Sequence, residues 1–282
     1  MRFAYSTNAY TRFTLKEALY EIARLGYAGA EILCDHPHWF PGRVDAREVD
    51  EVAAVLAETG LAVSNLNANT ANGYFSPLPP ENVFEPALSN PKRAKRDWRV
   101  GFSIEALRLA AAVGAPCVSL TAGHPTPGCD PALGLDYFVA SLKRVCEAAE
   151  VHGVNVGIEY EPGLLVERAT EVLETIERVG SPRLGVNLDI GHSHLDGEPV
   201  ETTIAALAGR IWNVHVEDIR GRKHFHRVPG EGDLPFGRYF RALRAAGYRG
   251  FLTVELYSYP EQPNEVGRRA LDYLQGLPEA GS

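Results

Sequence analysis

The feature that most constrains this chain is a recurring pair of patterns. A short apolar run with strand character is followed by a longer stretch with helical periodicity. The strand-like runs fall at residues 3–6, 29–33, 62–67, 117–121, 154–159, 184–189, 211–216 and 251–256. The helical stretches fall at 14–25, 46–58, 92–113, 131–152, 167–179, 200–208, 234–246 and 264–274. Eight pairs in 282 residues make about 35 residues per unit. That count favours a (β/α)8 TIM barrel, with residues 1–282 forming one domain. The alternative is a doubly wound open sheet, which usually carries a glycine-rich phosphate loop after its first strand. Here that position reads Ser6-Thr7-Asn8-Ala9-Tyr10, with no glycine. Local punctuation agrees with the helices. Thr14 and Glu17 have the spacing of a capping box. Gly26, Gly60, Gly114, Gly153, Gly180 and Gly247 each follow a helical stretch, where a left-handed stop is expected.

Composition narrows the partners. The chain is 45% hydrophobic with a formal charge of −8, a poor generic match for nucleic acid or an anionic membrane. The basic cluster at 92–96 diverges around a helix and reads as a solvated face. No apolar window is long enough to span a bilayer, and the first ten residues lack an apolar signal core. Cys34, Cys117, Cys129 and Cys146 form no CxxC pair and read as reduced thiols of a cytoplasmic protein.

Side-chain alternation along the last four strands points to the chemistry. One face of each is bulky and apolar: Val156 and Ile158, then Leu184, Val186 and Leu188, then Trp212, Val214 and Val216, then Leu252, Val254 and Leu256. The opposite face is mostly small or polar and ends in Glu159, Asp189, His215 and Glu255 respectively. In a barrel the carboxyl ends of the strands meet at one mouth. Three carboxylates crowded there need a counter-charge. A divalent cation supplies it, and an imidazole with oxygen donors suits Mn, Mg, Co or Zn. A second group surrounds the first. His192 lies three residues beyond Asp189, and His224 and His226 bracket Phe225. Together these three suit a second metal or an anion such as phosphate. His124 follows the fourth strand, within reach of the mouth, while His36, His38, His152 and His194 carry less information. Asn67 and Tyr257 near the strand ends, with Tyr5, Asn8, Trp39 and Asn69, have the side chains that bind hydroxyls and stack on sugar faces. Residues 65–91, rich in Asn, Pro and aromatics, are expected to form a lid or specificity loop.

The segments Ile158-Glu159-Tyr160-Glu161-Pro162, Asn187-Leu188-Asp189-Ile190-Gly191-His192, Val214-His215-Val216-Glu217-Asp218 and Val254-Glu255-Leu256 resemble the xylose isomerase-like barrel superfamily. So do Gly26-Tyr27-Ala28-Gly29-Ala30-Glu31 and the Pro229–Phe236 stretch, which matches a P-G-x-G-x-x-x-F pattern. The superfamily includes sugar and sugar-phosphate isomerases and epimerases, inosose dehydratases and endonuclease IV-type enzymes. The resemblance implies that Glu159, Asp189, His215 and Glu255 bind a divalent metal. It also implies that Glu159 and Glu255 are catalytic, moving a proton on opposite faces of a sugar through a metal-stabilised enediolate. Two departures stand out. Glu217 occupies a substrate-contact position where many epimerases carry a basic residue. His224-Phe225-His226 stands where endonuclease IV-type enzymes place an aspartate–histidine pair on a further metal. The resemblance therefore implies a metal-dependent isomerase or epimerase of a small sugar, polyol or sugar derivative. A phosphoester hydrolase, an inosose-type dehydratase or lyase, and a non-catalytic barrel are the alternatives. The expected partner is a small carbohydrate, with self-association into a homo-oligomer left open.

Overall fold

The computed structural model describes residues 1–281. The chain opens with β1 (Arg2–Ser6), α1 (Leu15–Leu25), β2 (Gly29–Leu33), α2 (Ala46–Thr59) and β3 (Ala62–Asn67). It continues with α3 (Arg93–Val113), β4 (Cys117–Leu120), α4 (Pro131–His152), β5 (Asn155–Ile158), α5 (Ala169–Val179) and β6 (Leu184–Asp189). Next come α6 (Ile190–Leu195), α7 (Val200–Ala206), β7 (Ile211–Val216) and the hairpin β8 (Asp218–Arg220) and β9 (Lys223–Arg227). The chain ends with α8 (Phe236–Ala245), β10 (Phe251–Val254) and α9 (Pro263–Gln275). Strands β1 to β7 and β10 close a parallel barrel in the order β1-β10-β7-β6-β5-β4-β3-β2. This is the (β/α)8 architecture that the repeat of strand and helix predicts.

The reasons are local first. Thr14 and Glu17 form the reciprocal cap of α1, and Asp45 and Glu48 do the same for α2. Helix α1 buries Ala18, Leu19 and Ile22 on one face, the spacing of an amphipathic helix on a sheet. Gly26 stops it in the left-handed region at φ 92°, which a residue with a Cβ rarely adopts. On the sheet, Val186, Leu188, Val214, Val216, Leu252 and Val254 are all buried beneath the helices. Below the mouth, the inner face is polar and hydrogen-bonded strand to strand. Thr253 donates to Asn213 Oδ1 at 2.9 Å, Asn213 to Asn187 Oδ1 at 2.8 Å, and Asn65 to Ser119 Oγ at 2.9 Å. Such a lining is tolerable only when each group finds a partner.

Two features differ from the sequence expectation. Residues 190–195 form α6 directly after β6, because Asp189 caps it by accepting from His192 N at 2.8 Å. Residues 218–227 form a hairpin rather than a plain loop, with Arg220 paired to Lys223. Helix α8 ends at Ala245, and Gly247 follows at φ 76°, in the left-handed region expected of it. The 65–91 segment lies at the mouth and is held from two sides. The Asp35 carboxylate accepts from Thr70 Oγ1 and from the amides of Asn72 and Gly73 at 2.6–2.9 Å. Buried Arg99 donates to the carbonyls of Ala68 and Asn69. The four cysteines are free thiols. Among the described residues, no helix is long and apolar enough to cross a membrane.

Candidate metal centre

The carboxyl ends of β5, β6, β7 and β10 place Glu159, Asp189, His215 and Glu255 together. One donor atom from each lies within 4.8 Å of all the others. Asp189 and His215 are direct register partners. Glu159 and Glu255 sit one residue past their strands, yet their amides extend the ladders, donating to Leu120 O at 2.9 Å and Val216 O at 3.1 Å. The His215 Nδ1 atom faces the carboxylates, 3.2 Å from Glu159, 3.7 Å from Glu255 and 4.0 Å from Asp189.

Amide side chains orient the two glutamates. Asn8 and Asn67 donate to Glu255 Oε1 at 2.8 and 3.1 Å. Asn69 donates to Glu159 Oε2 at 2.9 Å, and Asn187 donates to the same oxygen. The buried Asp189 Oδ2 has no hydrogen-bond partner. An orphaned carboxylate oxygen beside an imidazole and two further carboxylates fits a divalent cation.

The electrostatics carry the same message. Burial alone would lower the His215 pKa, but Glu31, Glu255 and Glu159 overcome it and hold it well above the ordinary imidazole value. A proton therefore occupies the Nδ1 side of the ring until a cation displaces it. Burial, reinforced by Glu159, Glu31 and Asp189 against the opposing His215 charge, pushes Glu255 up to about 8. Burial would also raise Asp189, but the facing His192, His226 and His215 hold it below the usual carboxylate range.

The second histidine group also converges. His224 Nε2 lies 3.1 Å from both His192 Nε2 and His226 Nε2. His192 Nδ1 is 3.1 Å from Tyr160 O and His226 Nδ1 is 2.9 Å from Glu255 O. A backbone carbonyl only accepts, so each of these rings carries a proton on Nδ1 and directs Nε2 toward the group. Burial and the neighbouring imidazoles hold His224 near 4 and His226 near 3, whereas Asp189 and Glu161 outweigh burial at His192 and raise it, so the group favours one proton at most. The three nitrogens thus suit a cation better than three protons.

A cavity of about 570 Å3 opens above both groups. Asn67, Asn69, Glu161 and Tyr257 contribute to its wall, and Tyr257 packs on His226 at 4.4 Å between ring centres. Residues 80–84 from the segment after β3 form one side. Two residues expected at the mouth are elsewhere. His124 is exposed, with Nδ1 3.0 Å from Gly163 O and its ring against Phe84, and is not part of the lining. Glu217 is fully buried, roofed by α6. A Cβ on Gly191 would come within 1.7 Å of its Oε1, so only glycine leaves room for it. No amide, hydroxyl or ring N–H reaches either Glu217 oxygen, and burial, then the charge of Asp189 and a hydrogen bond shared with it, raises its pKa well above the usual range. Sequence reasoning gave no role to Glu31, whose Oε2 lies 2.7 Å from His215 Nε2. Its signal was available in strand parity, since Glu31 alternates inward on β2 as Glu159 does beyond β5.

Fructoselysine 3-epimerase of Escherichia coli O157:H7 is 26% identical over 276 residues, 96% of each chain. Inosose dehydratase of Geobacillus thermodenitrificans is 23% identical, covering 93% of this chain and 89% of its own. Among solved structures, a D-tagatose 3-epimerase-like protein superposes with a TM-score of 0.81 at 21% identity, over 98% of this chain and 97% of the other. The IOLI protein, solved with a bound zinc atom, has a TM-score of 0.78 at 17% identity, over 98% and 97%. At those identities the superpositions speak to the fold. The expectation of an enzyme agrees with relatives and neighbours that are named as sugar epimerases. The profile described as xylose isomerase-like TIM barrel matches residues 19–277. With the closed barrel, that match over most of its length makes the chain a member of the xylose isomerase-like TIM barrel family.

Proposed function

We propose that the chain is a divalent-metal-dependent isomerase or epimerase of a small sugar, polyol or sugar derivative. One observation carries the reading: of the four clustered ligand residues, Glu159 and Glu255 line the cavity, while Asp189 and His215 lie beneath it. The two side chains able to exchange a proton with a substrate are thus the two that a substrate would meet. Glu159, Asp189, His215 and Glu255 would hold the cation. When bound, it supplies Lewis-acid polarisation of a carbonyl and so acidifies the neighbouring C–H. One of Glu159 and Glu255 then removes that proton and the other returns it. Asn8, Asn67, Asn69 and Asn187 fix both carboxylates, so little reorganisation is needed. Asn67, Asn69 and Tyr257 bind hydroxyls along the wall. The full-length similarity to an enzyme named fructoselysine 3-epimerase supports this choice.

The test is incubation of manganese-loaded protein with a panel of ketoses in D2O. Deuterium is expected at a carbon beside the carbonyl of at least one of them. No incorporation from any ketose sinks the proton-transfer reading.

The His192–His224–His226 group favours a second reading. These residues would hold an additional cation, and a multinuclear centre suits phosphoester hydrolysis. Metal stoichiometry separates the two: one equivalent per chain favours isomerisation, and two or three favour hydrolysis. Similarity to an inosose dehydratase keeps a C–O lyase in view, and analysis of the products distinguishes it.

A further inference from the structure

Glu31 is fully buried on β2, inside the barrel and beneath the ligand cluster. Its carboxylate collects donors from three strands. Oε1 accepts from Ser6 Oγ at 2.7 Å and from Asn67 Nδ2 at 3.2 Å. Oε2 accepts from Asn65 Nδ2 at 2.8 Å and faces His215 Nε2 at 2.7 Å, with Asn213 Nδ2 at 3.5 Å. The hydroxyl, the three amides and the imidazole N–H all offer hydrogens to it, so the position calls for an acceptor-only group. We infer that Glu31 is the positioning residue of the metal centre: it fixes the ring and the tautomer of His215, so that Nδ1 is the ligand atom.

His215 has two nitrogens and only one can face Glu159, Asp189 and Glu255. With Nε2–H donated to Glu31, the opposite side of the ring is committed to that space. Without Glu31, the ring would keep only Asn187 Nδ2, within 3.5 Å of both nitrogens, and the ligand carboxylates themselves to orient it. A carboxylate behind a ligating imidazole also makes it a better donor, and loss of such a partner typically weakens metal binding about 10–100-fold. Asn67 extends the same control, since its Nδ2 lies 3.2 Å from Glu31 Oε1 and 3.1 Å from Glu255 Oε1. One amide therefore ties the residue behind His215 to the ligand that follows β10, the strand beside β7.

The inference rests on the proposed cation site, and its test separates the two. Glu31→Gln keeps the shape but puts an amide where donors converge. Mn2+ affinity is measured by competition with a chelating dye in wild type and variant, with circular dichroism as a folding check. The expected result is affinity about 10–100-fold weaker, with unchanged secondary structure and partial rescue by Glu31→Asp. Unchanged affinity in Glu31→Gln overturns the inference while leaving the cation site standing. A wild type that binds no cation overturns both. Should the variant fail to fold, 15N NMR of zinc-loaded wild type still decides: His215 is expected with metal on Nδ1 and a hydrogen on Nε2. Metal on Nε2 overturns the inference.

Discussion

Glu255 is held by Asn8 and Asn67, buried, and pushed up to about 8 by burial and the surrounding carboxylates. Such a group carries a proton at neutral pH unless a cation enters beside it, so its state as base or acid is set by the occupant of the site. Removing the carboxylate while keeping its volume isolates that role. Glu255→Gln and Glu159→Gln are each expected to lower kcat by about 10²–10⁴-fold, the usual contribution of a positioned acid or base. Deuterium exchange at the substrate carbon should fall with kcat. A variant that keeps more than about a tenth of the wild-type rate contradicts proton transfer by that residue. Convergence of the four ligands was legible because strand parity is a rule of backbone geometry. The burial of Glu217 was not. Parity turns it inward correctly, but only the turn of helix at Ile190–Leu195 and the missing side chain of Gly191 decide that it is roofed over. His124 was misleading for a related reason: a loop residue has no parity, and its ring is fixed by Gly163 and Phe84 instead.

The β8–β9 hairpin, which delivers His224 and His226, was the element least legible in the sequence. Lys223–Arg227 is polar in all but one position, so neither strand nor helix periodicity announces it. Its order comes from one side chain just after β7. Asp218 is buried and accepts from the amides of Ile219, Gly230, Gly232 and Leu234 at 2.8–3.1 Å. That carboxylate draws the hairpin and the Pro229–Phe236 stretch into one unit, and explains physically why glycines stand there. A Cβ on Gly232 would lie 2.2 Å from Asp218 Oδ1. Asp218→Ala would leave four donors, two buried and two partly buried, and a buried one costs about 1–3 kcal/mol when orphaned. The loop is therefore expected to open rather than carry that cost. Hydrogen exchange at the Gly230, Gly232 and Leu234 amides should quicken. Any cation held by His192, His224 and His226 should be lost, with the barrel strands still protected. Unchanged protection at those three amides would show that Asp218 does not organise the unit. The barrel strands and helices, by contrast, were readable to within a few residues, because caps, glycine stops and apolar faces are written locally.

At the scale of the whole molecule, the barrel stores charge at its centre and so makes its stability depend on pH. Glu255 titrates near 8, Glu217 well above the usual carboxylate range, and His215 and His192 above the ordinary imidazole value. A group whose folded pKa is raised binds its proton more tightly in the folded state, so its contribution is lost as pH rises toward that pKa. His224 near 4 and His226 near 3 act oppositely, adding stability as pH rises toward about 6.5, the unfolded histidine value. The two sets oppose each other below about pH 6.5, and above it only the raised groups remain in play. Metal-free protein, prepared with a chelator, is therefore expected to lose thermal stability steadily from about pH 6.5 to 8.5. Manganese should reverse that slope. It displaces the His215 proton and neutralises the carboxylates, and a ligand at 100 times its Kd adds about 2.7 kcal/mol. Because protons compete for the same atoms, the gain in Tm on loading should grow with pH. A metal-free midpoint that stays flat or climbs across this range, or a manganese increment that shrinks with pH, would mean that the buried carboxylates and histidines do not form one electrostatic unit around a cation.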